Sequence, residues 1–353
     1  ENSEKMKICA STPNKVIIAG EHGVVYGSWA VAAPIEVDGK RNRVTLTLND
    51  GEPKVVFKGD LGESELNANG EVTGHEVYHP ILAGIMRLLN KFGKKIEDFG
   101  KTAEFKLEYC GAPKGTGNSS SIPACVTLCI TDFFHEELSN EELFEEAFFV
   151  DNIYHGGKAS GIDPKTVTSS TPQELKKVFL EGGIAKFEYH DTAFILPDKT
   201  VLVLVDSYKS GTKNTTAEMI EAFAKANNIL KKPFELTAEE RRQITKPFDE
   251  VVGKIEEQLK PEGDAVWLGK LMDKNNELLK SVSCEDIEKT LQIGRENGAL
   301  GGKITGGGGV GGAVLMLCWE KDYSKISKAL KENGFENWKV EIAKKGPQIE
   351  EQA

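Results

Sequence analysis

Pro113-Lys-Gly-Thr-Gly-Asn-Ser-Ser-Ser121 leads at once into an apolar run containing Ala124, Cys125, Val126, Leu128, Cys129 and Ile130. Gly115 and Gly117 let the backbone bend close to a ligand, and the serines stand where a helix begins. The first N–H groups of such a helix have no partner within it. Together with the positive end of the helix dipole they attract anions, phosphate above all. A polar turn capping a buried helix would use the same residue types. Two further glycine-containing stretches shift the balance toward a phosphate-binding loop.

The first is Gly20-Glu-His-Gly-Val-Val-Tyr-Gly27. Glu21 and His22 are ionisable groups set against glycines and an apolar pair, and buried ionisable groups need partners. A structural histidine closing a turn remains open here. The second is Lys303-Ile-Thr-Gly-Gly-Gly-Gly-Val-Gly-Gly312, running into a strand from Ala313 to Cys318. So many glycines before a strand carry a large entropic cost, which implies that backbone passes close to something. Between them, Ser139 and Glu142 form a capping box for a helix that carries Leu143, Ala147 and Val150. Asp151 and His155, four residues apart, share one face near its end. Gly156-Gly-Lys-Ala-Ser-Gly-Ile-Asp163 then breaks the helix and presents one carboxylate in a tight loop before Pro164. That aspartate could also cap the next element.

Around these stretches the pattern is α+β. Lys5 to Cys9, Val16 to Ala19, Arg43 to Leu48, Val55 to Phe57, Ala103 to Tyr109, Val201 to Val205 and Trp338 to Ile342 read as strands. Pro80 to Phe92 and Tyr323 to Asn333 read as helices. Met219, Phe223, Ala226 and Leu230 mark one stripe of another. Gly62 to Gly74, rich in Asn, Glu and Gly, reads as a loop, and the charged start ahead of Lys5 as frayed. With 353 residues, two domains are expected, with a boundary near residue 190: 1–190 carrying the first two motifs and 191–353 the glycine run.

A net charge of −11 argues against a nucleic-acid or anionic-membrane partner. An anionic substrate must then be held by local lysines and backbone N–H groups. No segment has the length and apolarity of a membrane span, and Glu1 to Lys7 lacks the apolar core of a signal peptide. The six scattered cysteines fit reduced, buried thiols, and a cytoplasmic location is expected.

The three glycine stretches, in this order, resemble the GHMP small-molecule kinases over most of the chain. Gly20 to Gly27, His155-Gly with Ser160-Gly-Ile-Asp163, and Lys303-Ile-Thr-Gly306 are most similar to the mevalonate kinase form. The resemblance implies a two-domain α+β fold, with an N-terminal ribosomal-S5-domain-2-like part, a C-terminal ferredoxin-like part and the active site in the cleft between them. It implies ATP and Mg2+ as cofactors and a small alcohol, mevalonate first, as the phosphoryl acceptor. A GHMP kinase acting on phosphomevalonate or a sugar, or a catalytically dead ligand-binding homologue, are the alternatives, and a homodimer is left open.

By the same resemblance, ATP phosphates lie on Lys114, Gly115, Thr116, Gly117, Asn118, Ser119, Ser120 and Ser121. Ser121 is the metal-binding serine and Asp151 the acidic metal ligand. Asp163 is the catalytic aspartate, Lys15 its companion, and Glu21 and His22 lie on the substrate side. The residue types suit phosphoryl transfer, which needs an in-line alcohol, counter-charge for the phosphates and a carboxylate near the hydroxyl. The chain departs from the family pattern where Asp151 replaces a glutamate, Ser119 a glycine and Ile122-Pro123 a pair of small residues. Pro123 is expected in the helix's first turn, where its missing N–H is harmless. The Gly156 to Ser160 loop is one residue longer than usual, and Lys114 and Lys158 add cations.

Overall fold

The computed structural model describes residues 5–351; the start expected to fray lies outside them. The architecture is α+β, in two compact units. One consists of the described residues through Lys15, Lys40–Ser170 and the described residues from Ala343 onward; the other is Val16–Gly39 with Thr171–Ile342. The units therefore interleave along the chain, where a single cut near residue 190 was expected. The reason lies in strand pairing. Gln348–Ile349 pairs with Lys7–Thr12 in the first unit, and Asn337–Ile342 pairs with Ala30–Val37 in the second, so both chain ends are stitched into both sheets.

The first unit is a seven-stranded sheet in the order Gln348–Ile349, Lys7–Thr12, Asn42–Asn49, Thr102–Glu108, Lys54–Gly59, Gly62–Asn67, Val72–Gly74. Only the Lys54–Gly59 and Thr102–Glu108 pair is parallel. The helices His79–Lys91, Asn118–Phe133 and Asn140–Tyr154 accompany it, and the core joins Val44, Leu46, Val55, Phe57 and Phe105 to Ile81, Ile85, Leu88, Cys125 and Cys129. The segment read as a loop, Gly62 to Gly74, instead carries two strands: Val72–Gly74 at the sheet's edge and Gly62–Asn67 next to it. It was misread because only Ser64 and Leu66 point inward, and one apolar side chain gives no alternation to detect.

The second unit is built on an eight-stranded sheet, antiparallel at each pairing from Ala185–Asp191 through Gly301–Thr305. Its order is Ala185–Asp191, Gln173–Phe179, Ala30–Val37, Asn337–Ile342, Thr200–Asp206, Ala313–Trp319, Gly301–Thr305, with Asn14–Ala19 also paired to Ala30–Val37. Thr200–Asp206 is buried along its length, as its unbroken apolar run implies. Phe223, Phe248, Leu291, Ile326 and Leu330 pack with Val203, Val205, Val314 and Met316. The helix carrying Met219 ends at Ala226, so Leu230 falls beyond the stripe and is 96% exposed. Among the described residues no helix is long and apolar enough to cross a membrane. All six cysteines are unpaired thiols, four of them buried.

The capping box forms as expected: Ser139 Oγ accepts from Glu142 N at 3.1 Å and Glu142 Oε1 accepts from Ser139 N at 3.2 Å. Replacing both halves with water leaves two helix donors without fixed partners. Ser139→Ala is expected to cost about 1 kcal/mol, read as a lower urea midpoint with an unchanged slope.

Candidate active site

The Pro113 to Ser121 stretch passes into the helix Asn118–Phe133, with Gly117 in the left-handed region (φ 82°) at its start. Gly117 has no side chain with which to cap the helix. A Cβ there would meet Val167 Cγ1 at 3.1 Å, Lys15 Cβ at 3.6 Å and Asp163 Cβ at 3.8 Å. Glycine at 117 thus lets two charged residues close in on the loop. Lys15 Nζ lies 2.6 Å from Asp163 Oδ1, its backbone N–H donates to Thr116 O at 2.8 Å, and its ammonium also reaches Gly115 O at 3.4 Å. The lysine is almost buried while the Asp163 side chain is 24% exposed, so the carboxylate is the solvent-facing member of the pair.

Asp163 does not sit in a loop. It occupies the first turn of the short helix Ile162–Val167, entered through Gly161 at φ 87°. A carboxylate in a first turn suits the helix dipole, and Pro164 is tolerated beside it because early N–H groups need no helical acceptor. Pro123 is different: it is the sixth residue of its helix rather than part of the first turn, so the bond to the Ser119 carbonyl is missing.

Asp151 is buried and faces the loop's serines. Ser119 Oγ donates to Asp151 Oδ1 at 2.5 Å, and His155 Nδ1 stands 3.2 Å from the same oxygen. The hydrogen bond to Asp151 raises the His155 pKa to about 9, against the opposing effect of partial burial, so the ring is cationic at neutral pH. Ser121 is oriented otherwise. Its hydroxyl is fully buried, donates to Thr12 O at 3.2 Å and accepts from Asn42 Nδ2 at 3.2 Å. Ser120 is buried as well, while Lys114 and Lys158 are exposed. Beneath the loop, Asn14 Nδ2 donates to Asn118 Oδ1 at 2.7 Å and to Thr116 O at 3.2 Å, and Asn42 Nδ2 reaches both Asn14 and Asn118. Sequence reasoning missed this asparagine network. Asn14 reads as a turn residue after Pro13, and nothing local marks either amide as buried.

In the second unit, Glu21 and His22 are both buried. Glu21 Oε1 accepts a hydrogen bond from Lys303 Nζ, and the ammonium also donates to the carbonyls of Ile304 (2.7 Å) and Ile17 (3.3 Å). Burial pulls the Lys303 pKa down and the Glu21 carboxylate opposes it. His22 has a positive φ of 63°, unusual for a residue with a side chain, and its Nε2 lies 2.9 Å from Gly307 O. Its ring stacks on Phe223 at 5.3 Å, and burial lowers its pKa despite the bond to Gly307. The glycine run does pass close to something, namely its own unit. A Cβ at Gly309 would lie 2.4 Å from Met219 Sδ, one at Gly308 would lie 2.5 Å from Val282 O, and Val310 N donates to Asn214 Oδ1 at 2.8 Å.

Lys15, Asp163, the loop and Asp151 are thus assembled within one unit, and Glu21, His22 and the glycine run within the other. Residues 255–336 match the family described as GHMP kinases C terminal. The chain is 29% identical over 334 residues to the mevalonate kinase of Methanocaldococcus jannaschii, covering 90% of this chain and 94% of that protein. It is 26% identical over 370 residues to the mevalonate kinase of Thermococcus gammatolerans, covering 98% and 99%. The crystal structure of the Methanococcus jannaschii mevalonate kinase superposes with a TM-score of 0.75 at 25% identity, covering 97% of this chain and 99% of that one. Residues 255–336 thus match the C-terminal part of the GHMP kinases, and the chain is similar to the mevalonate kinases along nearly its whole length.

Proposed function

We propose that this chain is an ATP-dependent kinase that phosphorylates the primary hydroxyl of mevalonate, with Mg2+ as the accompanying cation. The observation that carries the reading is the Lys15–Asp163 pair, 2.6 Å apart and set directly against Gly117 of the phosphate loop. Asp163 is placed to accept the proton of an acceptor hydroxyl. Lys15 holds that carboxylate in one orientation and favours the alkoxide as it develops. The loop backbone from Gly115 to Ser121 and the start of its helix would hold the phosphates.

Asp151 with a loop serine fits Mg2+ by donor chemistry, since both offer oxygen. Among the described residues no three or more His, Cys, Asp or Glu are grouped so as to hold a metal ion, and water and phosphate oxygens would complete the shell, which is how Mg2+ is commonly held. Bound there, Mg2+ would supply neutralisation of phosphate charge. Glu21 and His22 are assigned to the substrate side, and Lys303 supports Glu21 in that role. The six unpaired cysteines suit a reducing cytoplasm.

The test is ATP turnover with Mg2+ against mevalonate, mevalonate 5-phosphate, homoserine and galactose. ADP release with mevalonate alone supports the proposal; release with another acceptor reassigns the substrate, and release with none defeats the kinase reading. His22→Ala is expected to raise the KM for the acceptor several-fold and leave nucleotide affinity near wild type. Equal losses for both ligands would instead make His22 a structural residue bonded to Gly307.

A further inference from the structure

Ser121 is the serine that the family pattern assigns to the metal, yet its hydroxyl is committed elsewhere. A hydroxyl has one proton and two lone pairs. Here the proton goes to Thr12 O and one lone pair receives Asn42, inside a fully buried pocket. Turning Ser121 outward would take a buried donor from the Thr12 carbonyl and one of three acceptors from Asn42, which also reaches Asn14 and Asn118, and breaking into a buried polar network is costly. Ser119 is only partly buried, and its hydroxyl already lies 2.5 Å from Asp151 Oδ1.

We propose that the hydroxyl accompanying Asp151 at the metal in this chain is that of Ser119, not Ser121. Neighbouring ligands of an octahedral Mg2+ with bonds of about 2.0–2.1 Å sit about 2.9 Å apart. The Ser119–Asp151 oxygen pair needs to open by only a few tenths of an ångström to reach that spacing, with the hydroxyl proton rotating off the carboxylate. Two departures from the family pattern then become one change. Serine for glycine at 119 brings a hydroxyl to the carboxylate, and aspartate for glutamate at 151 shortens the reach that carboxylate needs. Pro123 adds to this: without its N–H, the Ser119 carbonyl is released from the helical ladder, and the first turn around Ser119 is less tightly tied.

This inference rests on the kinase reading, and the experiment separates the two. The affinity of a fluorescent ADP analogue is measured on the full chain with excess Mg2+ and with EDTA, and the ratio of the two Kd values reports the metal's contribution without turnover. Wild type is expected to bind more tightly with Mg2+. Ser119→Ala should lose about 10-fold or more of that gain, a ratio from which any loss common to both conditions cancels. Ser121→Ala should keep the gain and unfold at a lower temperature, because the buried bonds to the Thr12 carbonyl and from Asn42 are lost. Ser119→Cys should favour Cd2+ over Mg2+, a thiolate being a soft ligand; this gives a positive signal that a folding defect cannot mimic. A gain that vanishes in Ser121→Ala and survives in Ser119→Ala overturns the inference and leaves the kinase reading standing. Wild type with no dependence on Mg2+ overturns both.

Discussion

Asp163→Asn is expected to lower kcat by about 10²- to 10⁴-fold with little change in ATP affinity. The substitution is nearly isosteric, so the first turn of Ile162–Val167 and the approach to Gly117 stay in place, and the loss reports charge and proton acceptance alone. An alcohol is a poor nucleophile at neutral pH, so help with its proton counts mainly in the transition state. Lys15→Met should act in the same direction, since the ammonium 2.6 Å from Asp163 Oδ1 orients that carboxylate. Because the two side chains form one unit, the double variant should lose less than the product of the single losses. Steady-state kinetics on folded proteins with the acceptor that turns over decides the matter. A near-normal kcat in Asp163→Asn would leave the residue as a helix-terminus carboxylate and nothing more.

Lys303→Met is expected to destabilise the protein by about 3–5 kcal/mol, the usual cost of removing one partner from a buried ion pair. Both side chains are essentially without solvent contact, so Glu21 would lose its counter-charge in a low-dielectric interior. Glu21→Gln should do the converse harm, with a distinctive pH dependence. Burial holds the Lys303 pKa below that of an unfolded lysine, and the glutamine variant removes the opposing carboxylate. The unfolded chain then binds the proton more readily than the folded one. Stability of Glu21→Gln should therefore rise with pH up to the ordinary lysine range, more steeply than in wild type. The double variant Glu21→Gln with Lys303→Met should recover part of the single losses, since neither charge is stranded. Thermal unfolding of the four proteins at two pH values measures this; three variants as stable as wild type would show that the pair contributes nothing.

What was legible in the sequence was what lies close together along it. The capping box spans three residues, the Asp151–His155 contact four, and the loop-to-helix passage at Gly117 a single turn, so residue type and spacing determine each of them. The Glu21–Lys303 pair joins positions 282 apart, and the Asn14–Thr116 contact positions 102 apart. No periodicity reports such distances. Ala30–Val37 was not read as a strand, and Pro34 stands inside it. The sheet accommodates it by pairing residues 30–32 with Gln173–Phe179 and residues 35–37 with Asn337–Ile342, so that Pro34 falls between the two ladders. Ser121 was legible as a motif position, but its hydrogen bond from Asn42 was not, because only the fold brings that amide to it.

The interleaving of the two units bears on how the molecule is made. The chain passes from one unit to the other after Lys15, Gly39, Ser170 and Ile342. During synthesis, a nascent chain that has reached Ser170 already contains every helix of the first unit. It still lacks Gln348–Ile349, which flanks Lys7–Thr12, and that edge stays bare until those two residues have been made. Ala30–Val37 likewise waits for Asn337–Ile342, a partner about three hundred residues downstream. Strand edges left open for that long are where unfinished chains pair with one another. Residues 337–349 thus act as a closing stitch for both sheets, and a ribosome-bound chain halted before residue 337 should be far more prone to aggregate than one extended past residue 349.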